Sequence, residues 1–497
     1  MAMSILNFVG FGLTLAFLYV VGEVFYNLFL HPLRHFPGPL LMRAGRIPYF
    51  YKSITGTLPF DMLDIHNRYG SVVRIAPNEL AFSDPRAWKD IMGHRKQGVA
   101  SFEKWNGFYR LIPDEPVNVV NAPGEEHASL RRQLAHGFSD ASLRGQESII
   151  MKHINLLIRR LHENSHGGTK PVNLMAWYNY TTFDVIGDLA FGEPFGCLDN
   201  SDYHPWVRSI FQLARFGTVM QTANHFPPLK KIITIALSSK QLRRGRQQHR
   251  EFTKAKLQRR IELGKTTERP DLVEGLLKKK EELNLSLDNL VANSSILIIG
   301  GSETTATLLS GATYFLMENP ASLEKLTKEV RSAFEKEEDI DLTSVNKLEY
   351  MFACLEEALR VYPPVPIGLP RVVPKGGAKI CDHFIPEDTV VAIHQWAMYH
   401  NANNFSDPFG FHPERFMGDA QFASDRKDAF QPFHLGPRNC LGRNLAYVEM
   451  KVILARVLWN FDIKISPDSH DWLKKQRVFN FWDKGPLYAY LTPVIGG

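Results

Sequence analysis

The pattern of apolar and polar positions divides the chain into an uncharged leader, a long stretch of helical period and two patches of strand period. From Met3 to Gly22 no residue is charged, and Glu23 is the first that is. Twenty apolar residues in a helix rise roughly 30 Å, about one bilayer core. A cleaved signal peptide is one competing reading, but the run is too long, no basic residue precedes it, and no small-x-small site follows. A buried core helix is the other. Arg34, Arg43 and Arg46 lie just beyond the leader and place the body of the chain on the cytosolic side by the positive-inside rule. Residues 1–30 are therefore read as a single-pass anchor. His31-Pro32-Leu-Arg-His-Phe-Pro37-Gly38-Pro39 follows as a stiff, non-helical spacer, because prolines lack an N–H and disfavour helix in the residue before them. The spacer, taken as residues 31–45, precedes one domain over 46–497, which no Gly/Ser linker divides.

Within that domain, Ser71 to Phe82 predicts two strands around the turn Pro77-Asn78, and Arg371 to Ile393 predicts a second strand patch with turns at Gly376-Gly377 and Pro386. Helical spacing covers about 125–165, 171–191, 204–217, 239–263, 270–283, 286–318, 320–336, 346–361 and 442–460. The expected fold class is mainly α with small β-sheets. His225 to Leu237, with paired prolines and a lysine pair, could dip into a headgroup layer or form a buried helix. The basic run 240–265 reads as a solvated helix face.

Composition narrows this picture little. Hydrophobic residues make up 44% and aromatics 11%, as a large globular core requires. The net charge of +6 is mild for 497 residues and does not point to nucleic acid. Cys197, Cys354, Cys381 and Cys440 show no CxxC spacing, so neither a disulfide framework nor a zinc site is expected.

Candidate chemistry changes the picture more. In Phe433-His-Leu-Gly436-Pro-Arg438-Asn-Cys440-Leu-Gly442, a cysteine stands just before a strongly helical run. Free N–H groups and the positive dipole end at a helix N-terminus favour a thiolate. Gly436 and Gly442 would let backbone approach a flat group closely. Arg438 offers a fixed cation for a carboxylate, and Phe433 can cover the sulfur. A glycine-rich loop with one inert buried cysteine is the alternative. The run resembles the haem-binding signature of the cytochrome P450 family, Phe-x-x-Gly-x-Arg-x-Cys-x-Gly, at every fixed position.

That resemblance implies the cytochrome P450 fold, haem b held by Cys440 as the axial thiolate ligand, and dioxygen as cosubstrate. Read on its own, Gly300-Gly301-Ser302-Glu303-Thr304-Thr305 inside an apolar helix is costly, at about 1 kcal/mol per glycine. It could open a groove for a ligand or simply admit a crossing helix. It resembles the family's oxygen-binding motif, [Ala/Gly]-Gly-x-[Asp/Glu]-Thr-[Thr/Ser], which implies that Thr304 orients dioxygen and Glu303 helps deliver protons. Glu357-Ala-Leu-Arg360 and Pro413-Glu-Arg415-Phe416 together resemble the family's structural triad of Glu357, Arg360 and Arg415. His127 and Arg131, one helical turn apart, and Arg371 match positions that family members direct at haem propionates, alongside Arg438. By the same analogy the substrate pocket draws on residues near 102–119, 208–220, 296–304, 365–369 and 478–482, with Phe102, Phe211, Ile296, Gly300, Ile367 and Leu369 among its walls.

Asp184-Val-Ile-Gly-Asp-Leu-Ala-Phe-Gly192 and His31-Pro-Leu-Arg are similar to the fungal secondary-metabolism branch that includes trichothecene and polyketide-mycotoxin hydroxylases. The resemblance implies a monooxygenase of the endoplasmic reticulum membrane acting on an apolar terpenoid or polyketide. Electrons would come from NADPH through a separate cytochrome P450 reductase, with cytochrome b5 as a second donor. A haem-thiolate isomerase or dehydratase, or a non-catalytic haem protein, keeps the fold but has no need of the intact Glu303-Thr304 pair.

Overall fold

The computed structural model describes residues 2–96, 98–111, 115–204, 215–226, 230–232, 235, 240–264 and 271–494. Most of the expected helix 204–217 and much of 225–237 lie outside them. The leader forms a helix from Ala2 to Phe25 continued by a wider turn at Tyr26–Leu30. The stretch Asn7–Leu30 is long and apolar enough to cross a membrane, and none of it is buried in the protein. The spacer is not helix-free: Pro39 starts a short helix over Leu40–Ala44. Proline's fixed φ suits a helix start, and the leucines that follow are good helix formers. The spacer is also tied down. Buried Arg74 donates to the Asn27 carbonyl at 2.7 Å and twice to Pro77 O, while Asn27 Nδ2 donates to Ala44 O at 3.0 Å.

A five-stranded sheet comes next. β1 (Val72–Ala76) and β2 (Glu79–Phe82) form the expected hairpin. β3 (Glu103–Lys104) was not foreseen; the order is β1-β2-β8-β5-β3, with β5 at Arg371–Val372 and β8 at Val390–Ala392. Gly376-Gly377 turn the chain from β5 into β6 (Ala378–Ile380), which forms a hairpin with β7 (His383–Ile385) around Cys381-Asp382. β4 (Val172–Asn173), β9 (Phe461–Ile465) and β12 (Tyr488–Pro493) form a second sheet, and β10 (Arg477–Phe479) pairs with β11 (Phe481–Asp483). β9 was not foreseen either, although the buried–exposed alternation of Phe461-Asp-Ile-Lys-Ile is the signal that could have found it.

Between the sheets lies the helical body. The expected helix 125–165 is broken into Gly124–Ala135, Asp140–Gly145 and Glu147–Ser165. Gly137 lets the chain pass against the backbone of Asp271 and Leu272, and Ser139 caps the next helix by accepting from Ser142 N–H. In 270–283 only Glu274–Lys278 is helical, because the Lys-Lys-Lys-Glu-Glu run offers no apolar face. At the centre, Leu287–Glu318 runs unbroken for 32 residues and packs along Leu174–Phe191.

The helix Arg443–Asn460 packs against the central helix and against Pro320–Ala333 and buries Glu449. Oε2 of Glu449 has no partner, and burial alone pushes the carboxyl up to about 8. The folded protein therefore holds this acid neutral at pH 7, whereas the unfolded chain ionises it at about 4.3. Its contribution is fully present below the unfolded value and is lost as pH rises through the folded one. Glu449→Gln should therefore gain stability over wild type as pH rises from about 5 to about 8, by a few kcal/mol at most. Thermal unfolding across that range checks this; a difference that stays constant with pH would mean the acid is ionised in the fold.

Candidate active site

Cys440 stands two residues before the N-cap of Arg443–Asn460, and its N–H donates to Phe433 O at 2.8 Å. His434 and Gly436 take left-handed φ of 56° and 77°. A side chain at Gly436 would run into the Met92 carbonyl, so this glycine serves the loop's own packing rather than approach to a flat group. Gly442 has no crowding neighbour; its N–H donates to the Cys440 sulfur. The Phe433 ring lies 5.1 Å from Tyr447, half-buried beside the loop.

The cysteine residue is accessible although it lies deep in the protein. Burial raises its thiol above the usual value, and the Gly442 N–H, Arg131 and Arg443 offset this only in part. The helix-end N–H favours the thiolate as the local sequence suggests, but burial outweighs it. A bound metal cation would ionise this sulfur, since a coordinating thiol is deprotonated outright.

Around the loop the structure gathers cations. Arg131 donates to Asn439 O at 2.7 Å and to Asn439 Oδ1, clasping the cysteine loop to the helix Gly124–Ala135. Arg438 reaches Ala122 O and Glu103 Oε2, both at 2.9 Å. Arg371 is 5% exposed and its Nε has no partner. His127 is buried and held down to about 4, by desolvation first and then by Arg438, Lys104, Arg131 and Arg371.

Lys104, which the sequence did not single out, belongs to the same cluster. It sits directly across the β3–β5 pair from Arg371, and burial with three neighbouring arginines drives it well below the usual lysine value. Like charges facing each other across a sheet are destabilising unless something lies between them. Glu103 is the one acid acting on both. Five basic side chains, one of them with an unpaired buried donor, suit a ligand that carries two carboxylates beside the accessible cysteine. The residues present fit haem.

On the long central helix Gly300 is exposed, and Ile296 and Thr304, one turn to either side on the same face, are half-buried. A side chain at Gly300 would meet nothing within 4 Å. At Gly301 it would meet Ile186 of the neighbouring helix at 2.7 Å. Gly301 thus admits the crossing helix, while Gly300 leaves open space beside it. Thr304 donates its hydroxyl hydrogen to Gly300 O at 2.6 Å. Its lone pairs remain for the open side.

Glu303 points elsewhere. Its side chain is 4% exposed and pairs with Lys484, whose Nζ also donates to Thr307 Oγ1 at 2.6 Å. Oε2 of Glu303 has no partner, and burial raises this acid despite Lys484. The sequence reading missed Lys484, since nothing local to it suggests a partner on the central helix.

The triad closes as the motifs imply. Glu357 accepts from Arg360 at 2.6 and 2.8 Å, from Arg415 Nε at 3.2 Å and from the His412 N–H at 3.0 Å, with all three charged side chains buried.

Of the expected pocket residues, Ile367 lines a small cavity of about 50 Å³, room for a few waters, together with Trp105, Phe108, Thr218, Val478 and Asn480. Four of the five expected ranges meet there; the central helix does not. Phe102 is packed into the smaller core under the Arg95 guanidinium and lines no part of this cavity. Its aromatic side chain is more favourably buried among apolar neighbours. Leu369 is partly buried against the main core, and Phe211 lies outside the described residues.

An accessible cysteine before a helix, a two-carboxylate cradle, and a glycine and a threonine on one face of a buried helix together define a haem-thiolate oxygenase site. Comparison with known proteins agrees. The model of the family described as Cytochrome P450 matches residues 37–486. Cytochrome P450 monooxygenase tpeC of Talaromyces stipitatus is 47% identical over 99% of this chain and 96% of its own length. Cytochrome P450 monooxygenase prhB of Penicillium brasilianum is 44% identical over 97% and 98%. Trichothecene C-15 hydroxylase of Fusarium sporotrichioides is 45% identical over 97% of each. The chain belongs to the cytochrome P450 family, and it is a monooxygenase.

Proposed function

We propose that this chain is a membrane-anchored monooxygenase that oxidises an apolar secondary metabolite, a terpenoid or polyketide, by hydroxylation, epoxidation or desaturation. The observation that carries this reading is the accessible Cys440 on a loop that Arg131, one of five clustered basic residues, grips through Asn439. Haem bound there supplies the redox centre at which dioxygen is activated. Cys440 would ligate the metal, and His127, Arg131, Arg371, Arg438 and Lys104 would hold the propionates. Glu357, Arg360 and Arg415 brace the segment that leads to the cysteine.

Thr304 holds a proton donor on the open side: with its own hydrogen on Gly300 O, its oxygen accepts from a water or from the ligand. Glu303, buried and paired with Lys484, is the nearby acid from which protons would be resupplied. Electrons come from NADPH through a cytochrome P450 reductase, with cytochrome b5 as a second donor. The arrangement is an anchor at 1–30 in the endoplasmic reticulum membrane, a connecting segment at 31–45 and a cytosolic catalytic domain at 46–497. The apolar leader and the similarity to a trichothecene hydroxylase support it.

The test is reconstitution with a fungal reductase and NADPH, using metabolite extracts as substrate. Oxygenated product with matched NADPH and oxygen consumption is expected; rearrangement of a peroxide without oxygen uptake would overturn the reading. Thr304→Ala should retain haem but divert most of the electrons to hydrogen peroxide, cutting the yield of product per NADPH about tenfold or more. An unchanged yield would remove Thr304 from proton handling.

A further inference from the structure

Lys484 carries a cation into the interior from the C-terminal end of the chain. It follows β11 directly, and its side chain is 3% exposed. Its ammonium donates to Glu303 Oε1 and, at 2.6 Å, to Thr307 Oγ1 on the central helix. Burying such a pair is seldom a gain in stability, since desolvating both charges offsets their attraction. The backbone on either side of Lys484 is nonetheless pinned. Trp482 stacks on Tyr362 with ring centroids 4.4 Å apart and donates Nε1–H to Pro363 O at 2.8 Å. Gly485 O accepts from Trp472 Nε1 at 2.8 Å, and the Leu487 N–H donates to Asn173 Oδ1 at 3.1 Å. The ammonium is thus delivered to one place on the helix.

The carboxyl it meets stands one residue before Thr304 and is engaged on one side only. Oε1 takes Lys484 and, at 3.4 Å, the Thr307 hydroxyl, while Oε2 is buried without a partner. Opposed effects act on this acid. Burial raises it; Lys484 lowers it by charge and by hydrogen bond, Thr307 lowers it further, and the neighbouring Asp483 raises it. Tyr203 and Tyr362 feel the Glu303 charge, and both phenols are pushed upward and stay neutral at pH 7. The cation acting on Glu303 is Lys484.

We propose that Lys484 is a positioning residue of the monooxygenase reaction: it holds Glu303 by Oε1, so that Oε2 carries and releases the proton resupplied to the open side at Thr304. This rests on the reading of Glu303 as the acid that serves Thr304. Without the cation the buried carboxyl would keep its proton, because an unpaired carboxylate is far costlier to bury than the neutral acid. A weaker acid then gives up its proton more slowly.

The test uses the haem-loaded full chain and two readouts. One is the infrared carboxyl band of Glu303, taken as the difference from the same chain carrying Glu303→Gln and titrated with pH. The other is the hydrogen peroxide released per NADPH on reconstitution with reductase and the metabolite extract. Lys484→Gln keeps a hydrogen-bond donor but removes the charge. It should move the midpoint of the band up by about 1–3 pH units and raise the peroxide share about fivefold at pH 7. Lys484→Arg keeps the charge and should return both close to wild type. The assignment fails if Lys484→Gln leaves the midpoint in place, even where haem content or thermal stability drops, since Lys484 would then be a structural pin. It also fails if the Gln and Arg variants release equal peroxide while Glu303→Gln releases more than wild type. If Glu303→Gln itself leaves the peroxide share unchanged, the reading of Glu303 as the proton source falls, and the role of Lys484 falls with it; a shifted band would then report the ion pair alone.

Discussion

Replacing Cys440 by Ser is expected to lower turnover at least about a thousandfold and to abolish the red-shifted Soret band of the ferrous–CO complex. The chain should still fold. The Cys440 N–H to Phe433 O bond is a backbone contact, Arg131 grips Asn439 rather than Cys440, and the side chain belongs to neither apolar core. What is lost is an ionisable sulfur. Burial raises the free thiol despite the Gly442 N–H and two arginines, and a metal cation on the sulfur would reverse that. A serine hydroxyl, far less acidic, does not ionise in the same place. Absorbance of the reduced, CO-treated variant decides the point: a surviving red-shifted band would place the ligand on another residue.

Glu357→Ala should destabilise the fold by about 3–5 kcal/mol, the usual cost of breaking a buried ion pair from one side. Arg360 would keep its bonds to Pro408 O at 2.7 Å and Gly410 O at 2.8 Å, and Arg415 its pairing with Asp425. Arg360 would nonetheless lose its only anionic partner among the described residues, and both guanidiniums are almost wholly buried. The His412 N–H would also lose its acceptor. Because Arg360 and Arg415 hold carbonyls between Tyr399 and Gly410, the segment leading toward the cysteine should loosen, and the purified variant should hold less haem. Thermal unfolding and the ratio of haem to protein absorbance measure both effects. A loss under about 1 kcal/mol with full haem content would show that the triad is no brace.

The parts of the site legible in the sequence share a property: their residues are placed by local spacing. Glu357 and Arg360 meet because they are one helical turn apart, and Cys440 precedes a helix because the apolar period begins just after it. Arg415 needed a second motif, and Pro413-Glu-Arg-Phe supplied one. The parts that were missed depend on pairings between distant segments. Lys104 faces Arg371 only because a two-residue strand joins the edge of the main sheet, and two residues carry no readable alternation. Lys484 reaches Glu303 from beyond β11, at a position that looks like any turn lysine. Gly436 was assigned the right freedom for the wrong neighbour, since the Met92 carbonyl comes from a segment far away in the chain. In Phe102 an apolar side chain near an expected pocket proved to be core, a distinction hydrophobicity alone does not draw.

The unequal surroundings of Gly300 and Gly301 have a consequence for how this helix can change over generations. Position 300 is limited only by what must fit beside it, so alanine there trims ligand space while the helix stays in place. Position 301 is limited by Ile186, and a methyl group there would force the two longest-packed helices apart. A lineage that abandons glycine at 301 is thus expected to have shortened residue 186 first, so the two positions should drift as a pair, while 300 varies freely with the molecule each descendant oxidises.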